Sequence, residues 1–205
     1  MLKKILLTWF VLVASLNATA DNGQISKYVD ELINKSFAIL KDSSKSLDIK
    51  VKESEALISE NMDLEWMAKF VLGKYRRGLQ PNQLMQFTQL YSVYVVKSYS
   101  SGVKNFKNQQ IKVKSQQPLN KEEYVVKTAL LRQNLDPLQI DYLVRVLPSG
   151  HMKIFDVVTE GVSLINSHQA EFANILSAKS FDDLINELKV KINAIEKGDN
   201  GSNAK

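Results

Sequence analysis

Apolar residues along this chain recur at two different periods. Ile25, Val29, Leu32, Ile33, Phe37 and Leu40 fall at helical spacing, which predicts an amphipathic helix over 24–41. A second helix is expected over about 50–60. Asp63 reads as an N-cap for a short helix over Leu64–Leu72, with Gly73 as its stop. Pro81 suits the first position of a long helix. The stripe of that helix is Leu84, Phe87, Tyr91, Tyr94 and Val95, and it runs to about Lys104.

The period then shortens to two. Gln110–Ser115 sets Ile111 and Val113 against Lys112 and Lys114. Glu123–Arg132 is rich in Val and Leu. Leu138–Leu147 puts Ile140, Tyr142, Val144 and Val146 on one face, and Met152–Val158 makes a fourth strand. Turn signals separate the four: Pro118 with Asn120, Asn134-Leu135-Asp136-Pro137, and Pro148-Ser149-Gly150. Short connections between consecutive strands predict an antiparallel meander. Two helices close the chain. Leu164, Ile165, Phe172, Ile175 and Leu176 mark the first. Phe181, Leu184, Ile185, Leu188, Ile192 and Ile195 mark the second, capped by Ser180. The expected class is α+β, a curved four-stranded antiparallel sheet with helices on one face.

The ends of the chain read differently. Lys3 and Lys4 precede a dozen mostly apolar residues, Ile5 to Leu16, and then Ala18-Thr19-Ala20. That is the pattern of a cleavable export signal cut after Ala20, and the run is too short for a membrane anchor of about 20 apolar residues. Residues 197–205 are rich in Gly, Asn and Ser with charges and read as a disordered tail. Cutting after Ala20 leaves 185 of the 205 residues as one domain over 21–196 plus that tail. The net charge falls from +5 to +3, because the removed segment carries two lysines and no acids. A charge this small and dispersed gives no reason to expect nucleic acid as a partner. With no cysteine, an exported chain has neither a disulfide nor a lipid tether on sulfur, so its core must stabilise it.

Side chains able to do chemistry are sparse. There is no Gly-rich phosphate loop, no metal-spaced cluster and no evident catalytic set, and no cofactor is expected. His151 falls in a turn. His168 lies on the apolar stripe of its helix, where a core or rim position is the ordinary reading. A turn and a helix seventeen residues apart are not a metal signature. Asp156 and Glu160 could be a carboxylate pair for acid–base work. The more ordinary role is to order the strand-to-helix turn at Gly161 by accepting backbone N–H groups, with Ser163 as a cap. Lys74, Arg76 and Arg77 form a basic cluster that is either a solvated loop or a contact for an acidic partner or phosphate headgroup.

Three segments carry a resemblance. Phe155-Asp156-Val157-Val158-Thr159-Glu160-Gly161-Val162-Ser163-Leu164-Ile165 resembles the "YDV…EGVSLI" segment of the MlaC family, also called the toluene-tolerance auxiliary component of a lipid ABC transporter. Met67-Ala68-Lys69-Phe70-Val71-Leu72-Gly73-Lys74-Tyr75 resembles its "A…VLG.Y" segment. Pro81-Asn82-Gln83-Leu84 with Phe87 is similar to its "P.Q…F" helix start. The resemblance covers about 24–195. Arg76-Arg77 departs from it, since relatives often carry an aromatic residue there.

The resemblance implies a monomeric periplasmic phospholipid carrier. Such a carrier moves lipid between an outer-membrane lipoprotein complex and the substrate-binding component of an inner-membrane ABC transporter. It also implies a cradle similar to the nuclear-transport-factor-two-like fold, with acyl chains between sheet and helices. Combined with face periodicity, that architecture makes Phe70, Val71, Phe87, Tyr91 and Tyr94 expected cavity residues from the helices. From the sheet it selects Val113, Val126, Leu130, Ile140, Tyr142, Val144 and Phe155. Two other readings stay open. An isomerase-like enzyme on the same cradle would use Asp156 as base and Tyr142 as donor. A structural envelope protein or chaperone would have a filled core and an external groove.

Overall fold

The computed structural model describes residues 23–106 and 109–198. The expected export signal with its cut after Ala20, and residues 199–205 of the expected tail, lie outside the described residues. Six helices run over Gln24–Lys41 (α1), Leu47–Asn61 (α2), Leu64–Val71 (α3), Pro81–Ser100 (α4), Leu164–Ala178 (α5) and Phe181–Glu196 (α6). Short 3-10 turns follow α3, at Gly73–Gly78, and α4, at Ser101–Asn105. Between α4 and α5 lie five strands: Gln110–Pro118 (β1), Glu123–Arg132 (β2), Leu135–Val146 (β3), Met152–Thr159 (β4) and Val162–Ser163 (β5). They pair antiparallel in chain order.

The sheet has five strands, not the expected four. Val162 and Ser163 add a two-residue strand through a tight turn at Glu160 and Gly161, both with positive φ (48° and 80°). That is the backbone sign a type I′ hairpin turn needs, and Gly161 adopts it without steric cost. Glu160 is held there by its own pairing with Gln139. Its N–H donates to the Gln139 carbonyl at 3.1 Å, and its Oε1 accepts from the Gln139 N–H at 2.7 Å. Pro137, expected in a turn, lies inside β3. The β2–β3 register shifts between Leu130 and Arg132, so Asp136 and Pro137 fall in an irregular stretch where a missing N–H breaks no ladder bond.

Side chains alternate across the sheet. Tyr124, Val126 and Thr128 of β2 face inward, paired with Val144, Tyr142 and Ile140 of β3. Strand β4 breaks the alternation. Its register slips between Leu143 and Val144, leaving Phe155 as a bulged residue. Consequently Ile154, Phe155 and Asp156 are all buried, in three different environments. Ile154 joins the inner face. Phe155 packs edge-on against Trp66 of α3 at 5.3 Å. Asp156 sits at the start of α5: Oδ1 accepts from the N–H groups of Val157 (2.8 Å) and Ile165 (3.2 Å), and Oδ2 from the Ser163 hydroxyl (2.6 Å). The Ser163 oxygen in turn caps the Asn166 N–H. Burial raises the Asp156 pKa, and these hydrogen bonds oppose the rise.

Arg145, on the outer side of β3, clamps the adjoining corner. Its guanidinium lies 4.1 Å from the Trp66 ring centroid and 4.7 Å from that of Phe155. Both its Nε and one terminal nitrogen donate to Glu123 Oε1, at 2.9 and 2.7 Å. Its other terminal nitrogen reaches Asp63, whose Oδ1 caps the Trp66 N–H.

The helices form a dense body of their own. Phe87 and Tyr91 of α4 stack at 5.7 Å, and Phe172 of α5 meets both edge-on. Leu184, Ile185 and Leu188 of α6 and Met67, Ala68 and Val71 of α3 complete this core. His168 is buried in it, its Nδ1 3.0 Å from the Tyr91 hydroxyl and its ring against Tyr94 and Phe172. Among the described residues no helix is long and apolar enough to cross a membrane, and no three His, Cys, Asp or Glu side chains converge as a metal site.

Two outcomes follow from these contacts. Replacing Arg145 by Met leaves two partly buried carboxylates without their cation and is expected to cost about 3 kcal/mol in urea unfolding. Lys at 145 should recover only part, because it lacks the planar fork; a Lys variant as stable as the parent would refute the clamp. Burial lowers the His168 pKa from 6.5 to about 4, the Glu171 charge opposing and Lys191 assisting. The unfolded chain therefore takes up this proton first, and stability falls as pH drops from about 6.5 to 4, by about 3 kcal/mol in all. Asp156 works in the opposite sense, so the test is the difference in pH slope between the parent and His168→Gln. Equal slopes would show that His168 is not buried neutral.

Candidate functional site

Where α1 and α2 lie over the sheet, the two layers do not close. A cavity of about 370 Å³ remains between them, within the range of roughly 300–1,000 Å³ usual for small-molecule sites. The apolar stripe of α1 forms one wall: Val29, Leu32, Ile33, Phe37 and Leu40. Leu57, Ile58 and Asn61 of α2 form the second, with Met62 beyond them. Ile111 of β1, Ile140 and Tyr142 of β3, and Ile154, Val157 and Thr159 of β4 make the floor. Tyr99, near the end of α4, and Gly102 and Val103 of the following 3-10 turn close one end.

Local sequence explains why the walls stand where they do. Helix α1 has no side-chain cap of its own; Gln116 of β1 supplies one, its Oε1 accepting from the Ser26 N–H at 2.8 Å. That bond ties the start of α1 to the edge of the sheet. Helix α2 continues directly into the sheet, as Met62 bridges Ile154 and the Asp63 N–H donates to the Ile154 carbonyl at 2.8 Å. No residue of α2 is fully buried; its Leu57 and Ile58 pack against the edge of the core and also face the cavity.

Among the described residues the lining contains no Asp, Glu, Lys, Arg or His. Some of its polar groups are spent on the protein. The Ser36 hydroxyl donates to the Leu32 carbonyl. Asn61 donates to the Leu57 carbonyl and accepts from the Tyr28 hydroxyl. The phenols of Tyr99 and Tyr142 are different. Neither hydroxyl has a protein hydrogen-bond partner among the described residues, yet burial pushes the Tyr142 phenol up to about 12 and that of Tyr99 well above the usual range. Tyr99 still has 38% of its surface accessible because it faces an unfilled space rather than packed neighbours. A surface like this offers no charge to stabilise a developing ion and no paired acid and base. It can enclose hydrocarbon.

The residues expected from sequence are distributed as follows. Ile140 and Tyr142 line the cavity. Phe87, Tyr91 and Val71 are buried in the helical core, where Tyr94 is half-buried beside His168. Phe70 stacks on Trp66 at 5.0 Å. Val113, Val126, Leu130 and Val144 belong to the inner face of the sheet, outside the cavity lining, and Phe155 belongs to the Arg145 corner. Asp156, Glu160, Gly161 and Ser163 make the β4–β5–α5 turn. Asp156 therefore does not meet Tyr142, which points to the opposite side of the sheet. Lys74, Arg76 and Arg77 are exposed on the 3-10 turn after α3, outside the cavity lining, and His151 is exposed in its turn.

The main wall, the α1 stripe, was visible as a period but reads as ordinary core. Tyr99 had a traceable signal. Phe87, Tyr91, Val95 and Tyr99 are spaced by four, a ridge that turns about 40° per step around an α-helix. Three steps carry it from the helical core round to the cavity. Ile154 and Val157 share a face only because of the bulge at Phe155, which no period displays.

Comparison with known proteins gives a consistent picture. Residues 30–190 match the family model described as MlaC protein. The intermembrane phospholipid transport system binding protein MlaC of Haemophilus influenzae is 24% identical over 131 residues, 62% of this chain and 61% of that protein. The match thus spans less than two thirds of that relative. A phospholipid-binding protein from Ralstonia solanacearum, solved in complex with a phospholipid, superposes with a TM-score of 0.68 at 19% identity, over 85% of this chain and 98% of that one. At that identity the likeness establishes the shared fold.

Proposed function

The chain belongs to the MlaC family, and from that premise we propose that it is a non-enzymatic phospholipid carrier that encloses acyl chains in the cavity between sheet and helices. The observation that carries this reading is the apolar lining, which holds no charged side chain among the described residues. Each methylene left in water costs about 0.8 kcal/mol, so a two-chain lipid with roughly 30 methylenes faces a penalty on the order of 20 kcal/mol. A carrier has to remove that penalty over the aqueous gap without holding the lipid so firmly that it cannot be released. Dispersion and burial along walls of Leu, Ile, Val and Phe meet that need, and ionic contacts would not.

The named relatives support the reading, since one is described as an intermembrane phospholipid transport binding protein and the other was solved with a phospholipid. On this view residues 1–20 are an export signal removed after Ala20, and 21–196 act as one domain in the periplasm. The partners are an outer-membrane lipoprotein complex that exchanges lipid with the chain and the substrate-binding component of an inner-membrane ABC transporter. The fold works as a cradle of the nuclear-transport-factor-two-like kind. The exposed Lys74, Arg76 and Arg77, outside the cavity lining, then suit a partner surface better than a headgroup site.

Val157→Trp, on the cavity floor, tests the reading. Native mass spectrometry of the parent chain should show bound phospholipid. The Trp variant should fold, because its ring enters existing space, and should carry at least about tenfold less lipid. A parent that arrives empty and takes up nothing from vesicles, or a folded Trp variant with a full lipid complement, would remove the proposal.

A further inference from the structure

The two phenols in the cavity wall specify more than hydrocarbon. A ligand that fills this space strips solvent from the Tyr99 and Tyr142 hydroxyls, and neither makes a hydrogen bond to protein among the described residues. Pure hydrocarbon would leave two donors buried and unpaired, which is unfavourable. The ligand must therefore bring acceptor oxygens into the same space as its chains. Their charge state is constrained too. With no Lys, Arg or His in the lining among the described residues, a phosphate or carboxylate drawn this far would lose its hydration without gaining a cation from them. Neutral carbonyl oxygens meet both conditions.

We propose that Tyr99 and Tyr142 are specificity-determining residues that donate hydrogen bonds to the acyl-ester carbonyls of the bound lipid, so that the cavity selects ester-linked over ether-linked chains. This rests on the carrier reading above. It places the ester region inside the walls, beyond the reach of water, with the charged headgroup outside the cation-free lining. The two donors come from different layers, Tyr99 from α4 and Tyr142 from β3. One lipid molecule bonded to both would link the helices to the sheet across the cavity, and an ether analogue of the same length would fill the walls but lack the carbonyl oxygens, offering only the ether oxygens of its backbone as acceptors.

The experiment compares a diester phospholipid with the diether analogue of identical chains and headgroup, titrated into delipidated protein. The parent chain is expected to bind the diester about tenfold more tightly, in line with two neutral hydrogen bonds. Tyr99→Phe and Tyr142→Phe should each reduce that ratio by about threefold, and the double variant should bring it close to one by weakening diester binding alone. Equal affinity of the parent for the two lipids, or a preference that survives in the double variant, would overturn the assignment. If the parent bound neither lipid, the carrier reading itself would fall and this assignment with it. If it bound both equally, the carrier reading would stand and this assignment alone would fall.

Discussion

The bulge at Phe155 is the feature on which the rest of the architecture hangs. One extra residue in β4 lets three consecutive side chains point three ways. Ile154 turns to the cavity floor, while its backbone carbonyl receives the chain arriving from α2. Phe155 turns to Trp66 and the Arg145 clamp. Asp156 turns to the first turn of α5 and satisfies its N–H groups. These three residues thus meet α3, α5 and the chain leaving α2. A regular strand would have sent one of the three into solvent, and either α5 would have lost its anchor or the cavity floor would have lost Ile154.

That arrangement lets the protein separate stability from function. Unfilled apolar space is destabilising, because its walls forgo the dispersion contacts of a packed interior. Here that cost falls on α1, α2 and the adjoining sheet. The tight aromatic packing of Phe87, Tyr91 and Phe172, with the apolar faces of α3 and α6, lies elsewhere and does not depend on what the cavity contains. The chain has no disulfide to help it. Its helical body has to carry the fold while the other region stays open to a ligand, and occupancy would then add stability through mass action. The absence of fully buried residues in α2 belongs to the same division: this helix is a wall, with Leu57 and Ile58 packed on one side against the core and open on the other to the cavity.

Much of this could be read from residue order. Helix α1 ends where its stripe ends, β2 keeps its expected bounds, and Asp63, Pro81, Ser163 and Ser180 take the positions their side chains suit. These features are legible because periodicity, caps and turn residues act over a few neighbours. The strand β5 was not, since two residues cannot display an alternation. Pro137 misled because a proline in an irregular stretch of strand looks, in sequence, like a turn. The candidate site was harder still. Phe87 and Ile33 are both large apolar residues on helical stripes, yet one is sealed in a core and the other lines a void. Hydrophobicity records what a residue avoids, and it does not record what lies opposite.

The sequence by itself therefore determined the element order, the α+β class and the absence of cysteine, and through three short segments it pointed to a family. Tertiary structure alone decided which stripe meets another and which meets empty space. It set the phase of β4 through the bulge, gave α1 its cap from a distant strand, and left Tyr99 and Tyr142 in a cavity wall with no hydrogen bond to protein from either hydroxyl among the described residues. The physical reason is range. Local preferences act over one or two turns of chain, whereas a cavity is a mismatch between two surfaces far apart in sequence, and it exists only once both have been placed.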